Sequence, residues 1–114
     1  MSWDIHLEDA EGHVLEVPKH MEGGTYAMEG TPSACLNVTY NYSDVTRLVG
    51  FGFKESLNNR RAAVTIPDLE HVVDTLGTKK FENYWAPTPG NAGYAASILL
   101  NWAKLHPDAY WRVK

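Results

Sequence analysis

Leu36-Asn37-Val38-Thr39-Tyr40-Asn41-Tyr42 alternates apolar and polar residues without a break. In an extended chain, successive side chains point to opposite faces. The stretch therefore predicts a strand with Leu36, Val38, Tyr40 and Tyr42 on one side and Asn37, Thr39 and Asn41 on the other. A solvated side more usually carries Lys, Glu or Arg. A row of amides and a hydroxyl instead offers donors and acceptors at fixed spacing and no charge. Such a row suits a buried polar ladder, a solvated face of unusual composition, or a surface that receives a ligand.

Upstream, Trp3, Ile5 and Leu7 alternate with Asp4, His6 and Glu8, which predicts a half-buried strand. Asp9-Ala10-Glu11-Gly12 reads as a turn, with Gly available for positive φ. His13 to Val17 then runs back as a second strand that Pro18 ends, completing an amino-terminal hairpin. Thr25-Tyr26-Ala27-Met28 is a further short strand after Gly23-Gly24.

Downstream, the pattern becomes helical. Ser43 and Asp44 offer caps, and Val45, Leu48 and Val49 recur at helical spacing up to Gly50. Lys54 to Ala63 reads as loop. Thr65 opens a clearer helix, with Pro67 in its first turn and a stripe of Ile66, Leu69, Val72, Val73 and Leu76. Gly77 is the expected stop. Thr88 caps the longest helix, with Pro89 at its first position and Pro107 beyond its end. Ala92, Ala95, Leu99, Trp102 and Ala103 form one face, and Tyr94, Ile98 and Leu105 broaden it. Tyr110-Trp111 and Val113 suggest a last short strand. The fold class expected is α+β: a single small domain over residues 1–114, with an antiparallel sheet from the amino-terminal half packed against two or three carboxyl-terminal helices.

At 114 residues, 44% of them hydrophobic and 21% charged, the composition is that of an ordinary globular domain. The four Trp, six Tyr and three Phe supply much of a small core. A formal net charge of −4 argues against nonspecific grip on a phosphate backbone, so no nucleic acid is expected. No apolar run reaches the length of a membrane span, and the first residues lack the pattern of a secretion signal. A cytoplasmic protein is expected on that basis. Cys35 is the lone cysteine, which excludes an intrachain disulfide, and its sequence neighbours include no base or cation. The five His residues show no metal-pair spacing, so neither metal nor cofactor is expected.

The second half, with Thr65-Ile66-Pro67-Asp68-Leu69-Glu70, Tyr84-Trp85, Thr88, Gly90-Asn91-Ala92, Pro107-Asp108 and Trp111, resembles a family of short, largely uncharacterised proteins of bacteriophages, prophages and bacteria. The first half fits the same pattern through His20, Met21, Gly23-Gly24-Thr25-Tyr26, Gly30-Thr31 and Leu36 to Tyr42. The likeness spans nearly the whole chain. It departs in the middle, where Asn58-Asn59-Arg60-Arg61-Ala62 stands in place of a Tyr-Gly-Lys-Thr-Gly pattern. The resemblance implies a mobile-element setting and a bacterial host cytoplasm. It brings no activity with it, but that setting accommodates anti-defence roles such as capture of a nucleotide signal.

The residues themselves suggest one receptor. The first turn of the helix after Thr88 has unpaired N–H groups, and Gly90 and Gly93 would let an anion approach the backbone. Tyr84 and Trp85 stand ready to stack on a flat ring. Asn37, Thr39 and Asn41 would add polar contacts, and His20, Thr25 and Tyr26 lie in the Gly-Gly segment that could meet them. The site expected is therefore His20, Thr25, Tyr26, Asn37, Thr39, Asn41, Tyr84, Trp85, Thr88, Gly90 and Asn91, binding a small anionic or aromatic ligand such as a nucleotide. Core-filling roles for Tyr84 and Trp85, and tight helix packing at the glycines, are the simpler alternative. No nucleophile elbow or acid–base pair is visible, so the sequence gives little sign of catalysis, and a small hydrolase or transferase using His20 as base is a third reading. The competing reading is a protein-interaction module: a phage inhibitor of a host enzyme, an assembly factor, or a homodimer.

Overall fold

The computed structural model describes residues 2–20 and 31–114. The chain runs β1 (Ser2–Glu8), β2 (Glu16–His20), β3 (Thr31–Ser33) and β4 (Cys35–Thr39). A 3-10 turn (Tyr40–Tyr42) leads into α1 (Ser43–Arg47), followed by α2 (Ala62–Leu76), α3 (Pro89–Leu105) and β5 (Tyr110–Val113). The architecture is α+β, as the patterning predicts.

β1 is the centre of an antiparallel sheet of order β4-β1-β5, and β2 pairs with β3 in a second, two-stranded sheet. The last strand of the chain thus joins the first. The expected β1–β2 hairpin is present at its turn, where Asp9 N–H donates to the His13 carbonyl and Gly12 takes a φ of 86°, and in a short bridge beyond it, where Glu8 pairs with Val14 and Leu15 N–H donates to the Leu7 carbonyl. Beyond it, the long ladders of β1 go to β4 and β5, and β2 continues through Pro18 rather than ending there. Proline is accommodated because the β2–β3 register shifts between Glu16 and His20, where a missing N–H breaks no ladder bond. The strand expected at Thr25–Met28 lies outside the described residues.

Ile5, Leu7, Leu36, Val38, Trp111 and Val113 form the inner face of the three-stranded sheet. They share one buried cluster with Leu69 and Val72 of α2 and with Leu99 and Trp102 of α3. Trp102 stacks on Trp111 with ring centroids 6.4 Å apart. The predicted stripes of α2 and α3 face this core, with Leu105 left exposed at the end of α3. Leu48, expected on a buried stripe, is 86% exposed, because α1 ends one residue before it.

α2 begins at Ala62, a turn earlier than Thr65. Its first N–H groups are satisfied from a distance: Ala62 donates to the Ala109 carbonyl at 2.8 Å and Ala63 to the Pro107 carbonyl at 2.9 Å. Thr65 is a buried core residue instead of a cap. Its hydroxyl donates to the Ala62 carbonyl and accepts the Trp111 indole N–H, both at 2.8 Å. Pro67 sits inside the helix, where it leaves the Ala63 carbonyl without its usual intrahelical donor. The 58–60 segment lies along the outer side of β5. Asn59 N–H donates to the Trp111 carbonyl, Trp111 N–H to the Arg60 carbonyl, and Val113 N–H to Asn58 Oδ1.

Candidate functional site

β4 is shorter than the alternation predicts. At its end the Thr39 hydroxyl oxygen accepts the Asn41 N–H at 3.1 Å and turns the chain into the 3-10 turn. Leu36, Val38 and Tyr42 stay buried, but Tyr40 swings out, 39% exposed, and its ring lies against Trp3 with centroids 4.5 Å apart. The polar row splits in the same way. Asn37 remains on the outer face of the sheet, where its amide donates to Ser2 Oγ at 2.8 Å and to Asp4 Oδ1 at 2.9 Å. Asn41 leaves that face and donates its side-chain N–H to the Trp85 carbonyl at 2.9 Å.

This bond joins the strand end to the segment ahead of α3. A cleft of about 370 Å³ opens between them, lined by Ser2, Thr39, Asn41 and Trp85. Ser2 borders it because its Cα pairs with Thr39 across the β1–β4 ladder. Trp85 is 38% exposed at the rim. Its neighbour Tyr84 is buried: the Tyr84 hydroxyl donates to the Asn37 carbonyl at 2.7 Å, and the Tyr84 carbonyl accepts from the Tyr42 hydroxyl. Tyr84 therefore positions Trp85 from the core, with the two rings edge-on at 5.5 Å.

The start of α3 is built differently from the anion site expected there. Thr88 caps as predicted, its hydroxyl oxygen accepting the Asn91 N–H at 3.1 Å. The Asn91 side chain, however, is wholly buried and faces the protein's own loop. Its Oδ1 accepts the Phe81 N–H at 2.8 Å, and its Nδ2 donates to the Asn83 and Ala86 carbonyls at 2.9 Å each. Gly90 and Gly93 receive backbone: a Cβ at either would collide with the carbonyl oxygen of Lys79 or Gly77. The room these glycines make is filled by the chain leaving α2, so Thr88, Gly90 and Asn91 act as packing and capping residues.

Of the remaining expected site residues, His20 ends β2 in the two-stranded sheet, opposite Thr31. Thr25 and Tyr26 lie outside the described residues. The structure brings Asn37, Thr39, Asn41, Tyr84 and Trp85 together and adds Ser2. The alternation around Trp3 puts Ser2 on an outer face, but nothing in a single sequence says that β4 will lie beside it.

Elsewhere, the sheet register gives Cys35 a neighbour that its sequence surroundings lack. His6 is its cross-strand partner, with His6 Nδ1 3.7 Å from Glu8 Oε2. Asp9, Glu11 and His13 bring potential metal-ligating atoms within 4.8 Å of one another at the exposed turn. The Asp9 carboxylate there is engaged by its own turn: Oδ1 accepts the N–H groups of Glu11 and His13, both at 2.9 Å, and Oδ2 faces the His13 ring. The His13 N–H holds the Asp9 carboxyl below its ordinary value. Among the described residues, no helix is long and apolar enough to cross a membrane. No family model, curated protein or solved structure matches this chain.

Proposed function

We propose that this chain is a binding protein for a small polar ligand carrying a flat ring, received in the cleft beside Trp85. The observation that carries this reading is the bond from the Asn41 amide to the Trp85 carbonyl. It holds a part-exposed indole beside the Ser2 and Thr39 hydroxyls, and an apolar ring face next to a few fixed polar groups is how small-molecule sites combine affinity with orientation. In the phage-type setting that the resemblance implies, a module of this kind would act by sequestering its ligand.

A thermal-shift screen of nucleosides, nucleotides, sugars and sugar phosphates tests the proposal. At a concentration about a hundred times the dissociation constant, a ligand adds about 2.7 kcal/mol, a shift of several degrees for a domain of this size. The expected result is stabilisation by one of these classes that Trp85→Ala abolishes. A flat response across the whole panel would refute the reading and leave the same rim to the protein-interaction alternative.

A further inference from the structure

From the hydrogen bonds around the cleft we infer that its ligand is uncharged where it docks: a neutral heterocycle or sugar ring, recognised without a phosphate. This rests on the Trp85 cleft being the binding site. The polarity of each lining group follows from the bond it already makes. Ser2 Oγ accepts from the Asn37 amide, and Thr39 Oγ1 accepts from the Asn41 N–H. Each hydroxyl has thereby used an acceptor position on the protein; Thr39 is itself buried, and the half-buried Ser2 keeps its O–H to donate. Asn41 spends an amide N–H on the Trp85 carbonyl, which orients the side chain and leaves its Oδ1 as an acceptor. The cleft thus offers a hydroxyl donor, an amide with its oxygen and one N–H, and an indole face.

Charge decides against an anion. Ser2, Thr39, Asn41 and Trp85 include no cation. Among the described residues, the ionised group tied into this network is the Asp4 carboxylate, bonded to the same Asn37 amide that holds Ser2. A phosphate placed here would give up its hydration for uncharged donors alone and meet a carboxylate of like sign. The helix start that might have balanced it is occupied by the Gly77–Lys79 backbone and by Asn91. A neutral ring loses little hydration, covers the indole, and returns an acceptor to the Ser2 hydroxyl and a donor to Asn41.

Isothermal titration calorimetry of the intact chain, at low salt with nucleosides, methyl glycosides and the monophosphate of each, separates the outcomes. The expected result is that a neutral compound binds at least about tenfold more tightly than its own monophosphate. Ser2→Ala and Asn41→Ala should each weaken it about three- to tenfold, the size of one hydrogen bond, with the melting temperature held. Which neutral class responds tells a heterocycle from a sugar. Tighter binding of a monophosphate that is still lost in Trp85→Ala would overturn the neutral-ligand inference and leave the cleft standing. Binding that ignores Trp85→Ala, or no binding by any compound, would overturn both.

Discussion

Asn41 and Asn91 hold the same short segment from opposite sides. Asn91 donates to the carbonyls of Asn83 and Ala86, and Asn41 donates to that of Trp85 between them. Asn91 is completely buried with both ends of its amide engaged, whereas Asn41 is exposed and keeps its oxygen. The inner asparagine is a part of the fold; the outer one is available to something else. Amide chemistry is the same at both positions, so burial, and not residue type, separates the asparagine of the core from the one at the surface.

The largest expected effect lies on the inner side. Asn91→Ala strands a buried N–H and two carbonyls, and should cost about 3 kcal/mol in urea unfolding. Any loss of ligand response in this variant should follow from unfolding. A cost as small as that of an exposed substitution would break the distinction drawn between the two asparagines. Gly93→Ala comes next. Its Cβ must push the Gly77 carbonyl away, an overpacking that should cost about 2 kcal/mol. The midpoint of denaturant unfolding checks it, and an unchanged midpoint would show that the α2–α3 corner is looser than described.

Asn41→Ala should change stability by less than about 1 kcal/mol, because water replaces the exposed bond. Its signature belongs in ligand affinity, and a stability loss equal to that of Asn91→Ala would make it scaffold too. The smallest effect belongs to the exposed clasp at Asp9. Its carboxyl is held below the ordinary value near 3.8, chiefly by the His13 N–H. The stabilisation is therefore present above that ordinary value and fades as pH falls through the lower folded one. Asp9→Asn should flatten the decline in urea midpoint as pH falls below about 4, and a carboxyl NMR titration of Asp9 should show the lowered midpoint directly.

The sequence carried the helices well, because their signals are local. Thr88, Pro89 and Pro107 mark the bounds of α3, and the Leu69–Val72 stripe marks the buried side of α2. The start of α2 was hidden, since its donors go to Pro107 and Ala109, more than forty residues away in sequence. Strand partners were hidden for the same reason. Alternation shows which side of β1 is buried but is silent on β4 and β5 as its neighbours. The site was legible by halves. Asn41 and Trp85 stood out by chemistry and do meet, but Gly90 and Gly93 look the same whether the guest is an anion or the protein's own backbone.

The strip of backbone from Asn58 to Arg60 along β5 also bears on how the molecule behaves in company. A sheet whose margin is left open can be extended by a strand from another copy, the first step toward fibres. Here the outward groups of Trp111 and the N–H of Val113 are already taken from within the same chain, so a neighbour would first have to peel that strip away. The 58–60 segment thus leaves that margin of the sheet already paired.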